Sequence, residues 1–287
     1  MSQGTQPITQ HELEEICGFI QQRSGMVFDE SRSRFFTNRL REHMERKNLA
    51  HGTELLRMVK SSNAEYDQLL ERVLTQETSF FRYPAIFNAL QRRVLPEIHA
   101  KKFWSNPRSL RVWSAGCASG EEPYSIAITV CEALEFAEAW NIQILATDIS
   151  RKALEMAEAG RYDRRELAAL TPQQIDAYFT RAGEEYVVRP RLKNLIAFAP
   201  MNLAQMVYMG RFDAIFCMNV LIYFSEELRA QLIQRFSEYL EPGGYLFLGH
   251  AESVAKAGVG LEPIVVGDSL IYRKASSRAL AAAEESK

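Results

Sequence analysis

Between Leu110 and Leu248 short apolar runs alternate with helical segments, and this alternation restricts the fold more than any other feature. The strand-like runs are Leu110–Trp113, Ile142–Ala146, Phe212–Cys217 and Tyr245–Leu248. They read as short strands covered by helices. Between them lie a helix opening at Glu121-Glu122-Pro123, one capped by Ser150 that ends before Gly160, and one capped by Ser225. Pro suits a first helical turn, where its missing N–H has no intrahelical partner. Strands separated by helices imply a parallel sheet covered on both faces. In such sheets ligands bind beyond the C-terminal strand ends.

The flanking segments read differently. The first 75 residues are helical. Thr9 with Glu12 forms a capping box, and further helices are expected at about Glu30–Lys47, Thr53–Lys60 and Glu65–Leu74. The helix Glu30–Lys47 carries Arg32, Arg39 and Arg46 seven residues apart on one face. Another helix is expected over Tyr83–Lys101. From Arg161 to Pro200 the alternation breaks: a helix starts at Thr171-Pro172, then Glu185–Arg189 and Leu195–Ala199 suggest a small antiparallel appendage. The expected domains are therefore 1–75, 76–275 with an insertion at 161–200, and a fraying tail at 276–287.

Charge and cysteine usage remove whole classes. Lys and Arg number 34 against 36 Asp and Glu, a net charge of −2, which disfavours a general nucleic-acid binder. The four cysteines, Cys17, Cys117, Cys131 and Cys217, have no metal or redox spacing, and the five histidines show no metal pattern either. No apolar run approaches the ~20 residues of a membrane span, and no signal segment precedes Thr9. A cytoplasmic protein without metal or membrane insertion is expected. With no extended apolar stripe, a monomer is expected.

Four features fall at the predicted ligand edge. The loop Ser114–Gly120 is built of small residues that let a ligand approach the backbone. Asp148 ends the next strand, where an acidic residue accepts hydrogen bonds from ribose hydroxyls; the alternative is a helix cap, a role for which Ser150 competes. Glu121 and Glu122 stand at the helix mouth, where they would repel a pyrophosphate yet tolerate a cationic ligand; alternatively they complement the helix dipole. The apolar run Phe216–Phe224 delivers Asn219 and Tyr223 at its end, and a polar Asn219 amid it needs hydrogen-bond partners; the alternative is a core strand followed by a turn. Asp148 lies 32 residues beyond Gly116 and the loop lacks G-x-G-x-x-G, which weakens a dinucleotide reading.

Taken together, SAGCASGEEPYS (Ser114–Ser125), FDAIFCMNVLIYF (Phe212–Phe224), TQETSFFR (Thr75–Arg82) and LEPGGYLFLGHAES (Leu240–Ser253) resemble the chemotaxis receptor methyltransferases of the CheR family. The resemblance covers about residues 9–274. It implies an α/β, Rossmann-like S-adenosylmethionine-dependent methyltransferase domain with an inserted antiparallel β-subdomain, preceded by a small all-α domain. It implies methylation of glutamate side chains on the cytoplasmic helices of chemoreceptors, giving γ-methyl esters and S-adenosylhomocysteine. By motif it implies cofactor contacts at Gln76, Thr78, Arg82, Ala115, Gly116, Glu122, Asp148, Asn202, Leu203, Asn219 and Val220, with Arg82 and Tyr223 at the methyl-transfer point. Gln76 departs from the Asn frequent in relatives. Family usage implies receptor docking through the basic helix, hence Arg39 and Arg46. Some relatives bind a receptor's C-terminal pentapeptide on the β-subdomain; the short turn Arg181–Glu184 points to an enzyme independent of it.

His250 is expected as a packed structural histidine, and Arg82 has the alternative role of a salt bridge locking the linker. Competing functions are an NAD-dependent oxidoreductase, disfavoured by the loop chemistry, a cofactor-sensing module without turnover, and methylation of a small molecule or RNA.

Overall fold

The computed structural model describes residues 7–28, 30–74, 76–105, 108–207, 209–254 and 260–275. The side chains of residues 30–33 lie outside the described set, as do Thr75 and the tail from Ser276.

Four helices come first: α1 (Gln10–Ser24), α2 (Glu30–Arg46), α3 (Gly52–Ser61) and α4 (Asn63–Val73). The Thr9–Glu12 capping box is present, each side chain satisfying a backbone N–H at the start of α1. The helix expected over Tyr83–Lys101 is α5 (Pro84–Ala89), a π-helical turn (Leu90–Val94) and α6 (Leu95–Lys102). Pro96 explains the wider turn: a proline ring clashes with the carbonyl four residues back in an α-helix, and a π-turn relieves this.

Then follow β1 (Ser109–Ala115), α7 (Glu121–Ala133), β2 (Asn141–Asp148), α8 (Arg151–Ala159), β3 (Arg161–Asp163), α9 (Pro172–Tyr178), β4 (Phe179–Ala182), β5 (Glu185–Val188), α10 (Pro190–Lys193), β6 (Ile196–Pro200), β7 (Phe212–Cys217), α11 (Glu226–Tyr239), β8 (Leu240–Leu248), β9 (Leu261–Val266) and β10 (Ser269–Lys274). The large sheet runs β6-β2-β1-β7-β8-β10-β9. Its first five strands are parallel; β10 and β9 are antiparallel additions that sequence patterning did not anticipate.

One expectation is corrected. The run Leu195–Ala199 does not pair with Glu185–Arg189. As β6 it extends the large sheet, parallel to β2 with Ile144 opposite Ile196. The small antiparallel sheet is instead β3-β5-β4. A five-residue apolar run fits either sheet, and only the partner available in space decides.

The central strands β1, β7 and β8 are buried on both faces, their side chains alternating with a period of two. Val112, Ala214, Phe216, Tyr245 and Phe247 face a core with α5 to α7. Trp113, Ile215, Cys217, Leu246 and Leu248 face the opposite core. Ile16, Leu40, Leu55 and Leu69 from α1 to α4 belong to that second core as well. The N-terminal helices thus share their apolar interior with the sheet, and this fixes α1 against the strand ends that carry the site.

Candidate active site

The parallel strands end along one edge, and the loops after β1, β2, β6 and β7 meet there around a cleft. Its lining includes Gln76, Thr78, Arg82, Gly116, Glu122, Asp148, Asn202, Leu203, Asn219, Val220 and Tyr223, the residues that the resemblance implied, together with residues it did not, such as Leu74, Phe87, Ile149 and Met218. Ala115 is the exception among the implied residues. It is the last residue of β1, 1% exposed, with its side chain in the sheet's second core.

The loop after β1 is shaped by a close approach. Gly116 adopts φ +85°, and a Cβ there would lie 2.3 Å from Val220 Cγ2. Only glycine fits both the conformation and the space. The N–H groups of Gly116 and Cys117 both donate to the carbonyl of Thr147, at 2.7 and 3.0 Å, tying the loop to the end of β2. Ala118 N–H donates to Asp148 Oδ2 at 2.8 Å, and Ser150 N–H donates to Oδ1 at 2.9 Å. Asp148 therefore joins two loops through both oxygens, and Ser150 caps α8 by accepting from Ala153 N–H. Burial raises the Asp148 carboxyl, against the lowering effect of these N–H donors.

The two carboxylates at the mouth of α7 separate. Glu121 is 3% exposed, accepts from the Ser119 hydroxyl at 2.8 Å and does not line the cleft. Glu122 does, and accepts from the Ser114 hydroxyl at 2.7 Å. Burial pushes the Glu122 carboxyl up to about 7; the Ser114 bond opposes this, Glu252 adds to it and Arg82 counteracts it. Repulsion of a pyrophosphate by two carboxylates thus reduces to one group facing the ligand space.

Beyond β7, Asn219 takes φ +61°, rare for a residue with a side chain. Its Oδ1 is buried and has no hydrogen-bond partner. A buried acceptor without a donor is costly, and a ligand N–H or O–H in the cleft would satisfy it. Tyr223 sits in a short 3-10 turn, Leu221–Tyr223, whose backbone meets the segment between α1 and α2: Val27 N–H donates to the Tyr223 carbonyl at 2.8 Å, and Met26 bridges Phe224.

Asn202 serves two backbones. Its amide donates to the Arg23 carbonyl at 2.9 Å and its Oδ1 accepts from Ala204 N–H at 3.0 Å. It holds the end of α1 against the cleft, where Ser24 and Met26 form part of the wall. Sequence reasoning missed that wall, since nothing near Ser24 marks it. Gln76 also links the two units. Its amide donates to Ser150 Oγ at 2.8 Å and to Glu71 Oε2 at 3.1 Å. Arg82 donates to the Glu77 carbonyl at 2.5 Å, with the Glu77 carboxylate 3.9 Å away. This stitches the linker to itself rather than to the sheet.

Two further expectations meet the structure. His250 is exposed, its ring 4.6 Å from that of Tyr83 in an edge-on contact, and is not packed in a core. On α2, Arg46 is exposed, and Arg39 is partly exposed, 3.1 Å from Glu42; the Arg32 side chain lies outside the described residues. No group of three or more metal-ligating side chains occurs among the described residues. No helix there is long and apolar enough to cross a membrane.

The acceptors Glu122, Asp148 and Asn219 and the space beside Gly116 suit a ligand bearing an amino group and hydroxyls, as S-adenosylmethionine does. Residues 76–264 match the model of the CheR methyltransferase SAM binding domain, and residues 11–74 that of the CheR methyltransferase all-alpha domain. A chemotaxis protein methyltransferase of Vibrio parahaemolyticus is 35% identical, covering 93% of this chain and 98% of its own. One from Pseudomonas aeruginosa is 32% identical over 89% of this chain and 94% of its own. One from Salmonella typhimurium is 36% identical over 83% and 82%.

Proposed function

We propose, from the premise that this chain belongs to the CheR methyltransferase family, that it esterifies glutamate side chains on the cytoplasmic helices of chemoreceptors. That it is an S-adenosylmethionine-dependent methyltransferase of chemotaxis follows from the family itself. The glutamate acceptor, the residue roles and the mode of docking are our reading.

The observation that carries this reading is the convergence of the motif residues on one cleft that contains the unpartnered Asn219 Oδ1. Asp148 would accept from the ribose hydroxyls, Glu122 and Asn219 from the amino-acid end, and Leu203 and Val220 would flank the base. When bound, S-adenosylmethionine supplies a methyl group on a positively charged sulfur, open to attack by a carboxylate oxygen. A glutamate carboxylate, pKa ~4.3, is ionised at neutral pH, so no side chain has to remove a proton. The protein's work is alignment and exclusion of water. Arg82 orients the incoming carboxylate, and Tyr223 steers the acceptor oxygen.

Docking falls to the first helical unit. Arg39 and Arg46 present positive charge to acidic receptor helices. The β4–β5 hairpin turns on Gly183 and Glu184 alone, which supports a mode independent of a receptor pentapeptide. Action as a cytoplasmic monomer is part of the reading.

The test is transfer of labelled methyl from S-adenosylmethionine to cytoplasmic chemoreceptor fragments, followed by base-labile release as methanol. Label that enters the receptor and leaves as methanol is the expected result. No label, with S-adenosylhomocysteine still bound, would redirect the acceptor; absence of both would remove the assignment of the cleft.

A further inference from the structure

The loop after β7 carries Asn219, Val220 and Tyr223 to the cleft, and one carboxylate from elsewhere in the chain holds it. Glu252 lies four residues beyond β8, is 9% exposed and does not itself line the cleft. Its Oε2 accepts from Gly249 N–H at 2.7 Å and Asn219 N–H at 3.0 Å. Its Oε1 accepts from Ile222 N–H at 3.3 Å. The surroundings are shaped to admit it: a Cβ on Gly249 would lie 2.8 Å from Glu252 Oε2 and 2.9 Å from Asn219 N. The Asn219 φ of +61° lies in the left-handed region, which asparagine enters more readily than other side-chain-bearing residues, and the bond to Glu252 holds the backbone there.

We propose that Glu252 is the positioning residue of the cofactor cleft, setting Asn219 through one oxygen and the Ile222–Tyr223 turn through the other. Each oxygen has its own task. Oε2 fixes the left-handed backbone that presents the unpartnered Asn219 Oδ1. Oε1 fixes the residue immediately before Tyr223. A glutamine at this position divides the two tasks. Its single carbonyl oxygen, placed at Oε2, still accepts from Gly249 and Asn219. Its NH2 then faces the Ile222 N–H, donor against donor. Alanine removes both.

The inference rests on the reading of the cleft as the S-adenosylmethionine site, so binding of S-adenosylhomocysteine is measured separately from turnover. Calorimetry on wild type, Glu252→Gln and Glu252→Ala is paired with kcat on receptor fragments and with melting temperature. For Glu252→Gln we expect a Kd within about threefold of wild type and kcat lower by about tenfold, since charged hydrogen bonds are the stronger ones. For Glu252→Ala we expect Kd to rise by about tenfold or more. If Glu252→Ala does not fold, the split between Kd and kcat in Glu252→Gln decides. Unchanged Kd and kcat in the variants, or a fall in melting temperature with no such split, would overturn the proposal while leaving the cleft assignment intact. A wild-type protein that fails to bind S-adenosylhomocysteine would overturn the assignment, and the role of Glu252 with it.

Discussion

Glu122 offers the most direct test of the cleft, because it couples ligand binding to pH. Burial raises its carboxyl to about 7, from an ordinary value of 4.5. With the ionised form binding the ligand's amino group, the apparent Kd scales as 1 + 10^(pKa − pH). S-adenosylhomocysteine then binds about tenfold more weakly at pH 6 than at pH 8, and the dependence levels off above about pH 8. Glu122→Gln cannot titrate and should flatten this limb. The assay is calorimetric titration of both proteins between about pH 5.5 and 8.5. Stability of the unliganded protein carries the opposite sign. A carboxyl raised in the folded state binds protons more tightly than in the unfolded chain. Its contribution is therefore present below 4.5 and is lost as pH rises through about 7, by up to about 3 kcal/mol. Parallel pH profiles of Kd for wild type and Glu122→Gln would refute the reasoning.

Three other outcomes follow from the same geometry. Gly116→Ala forces a Cβ against Val220 and a side chain into a left-handed conformation; calorimetry should show S-adenosylhomocysteine affinity down by about tenfold or more. Tyr223→Phe should keep S-adenosylhomocysteine affinity and lose about tenfold in kcat, measured by methyl transfer to receptor fragments; full turnover would remove the tyrosine from the transfer point. The Arg39→Ala/Arg46→Ala double variant should raise KM for receptor fragments several-fold at low salt and show a flatter dependence on ionic strength, and equal salt sensitivity would count against docking through α2.

Local signals were the legible part. The capping pair Thr9 with Glu12 and the caps Thr171, Ser150 and Ser225 all stand at helix starts in the structure. The apolar runs before Ser114, Asp148 and Asn219 form adjacent parallel strands, which is why their end residues meet. Each of these signals acts within a few residues, so the order of the chain contains it.

The sequence by itself marked the helix caps, the central parallel strands and the edge of the sheet that bears the cleft, and the family resemblance named about half of the side chains around it. The tertiary structure alone decided that Ile196–Pro200 joins the large sheet, that Leu261–Lys274 completes it as a hairpin, and that the end of α1 walls the cleft. It also decided that Glu121 turns inward while Glu122 faces the ligand space, and that Glu252 governs Asn219 from 33 residues away. Helix caps and turns depend on bonds between near neighbours. Strand partners, cavity walls and carboxylate clamps depend on which distant backbones arrive within about 3 Å of one another, and two cores sharing one sheet settle that.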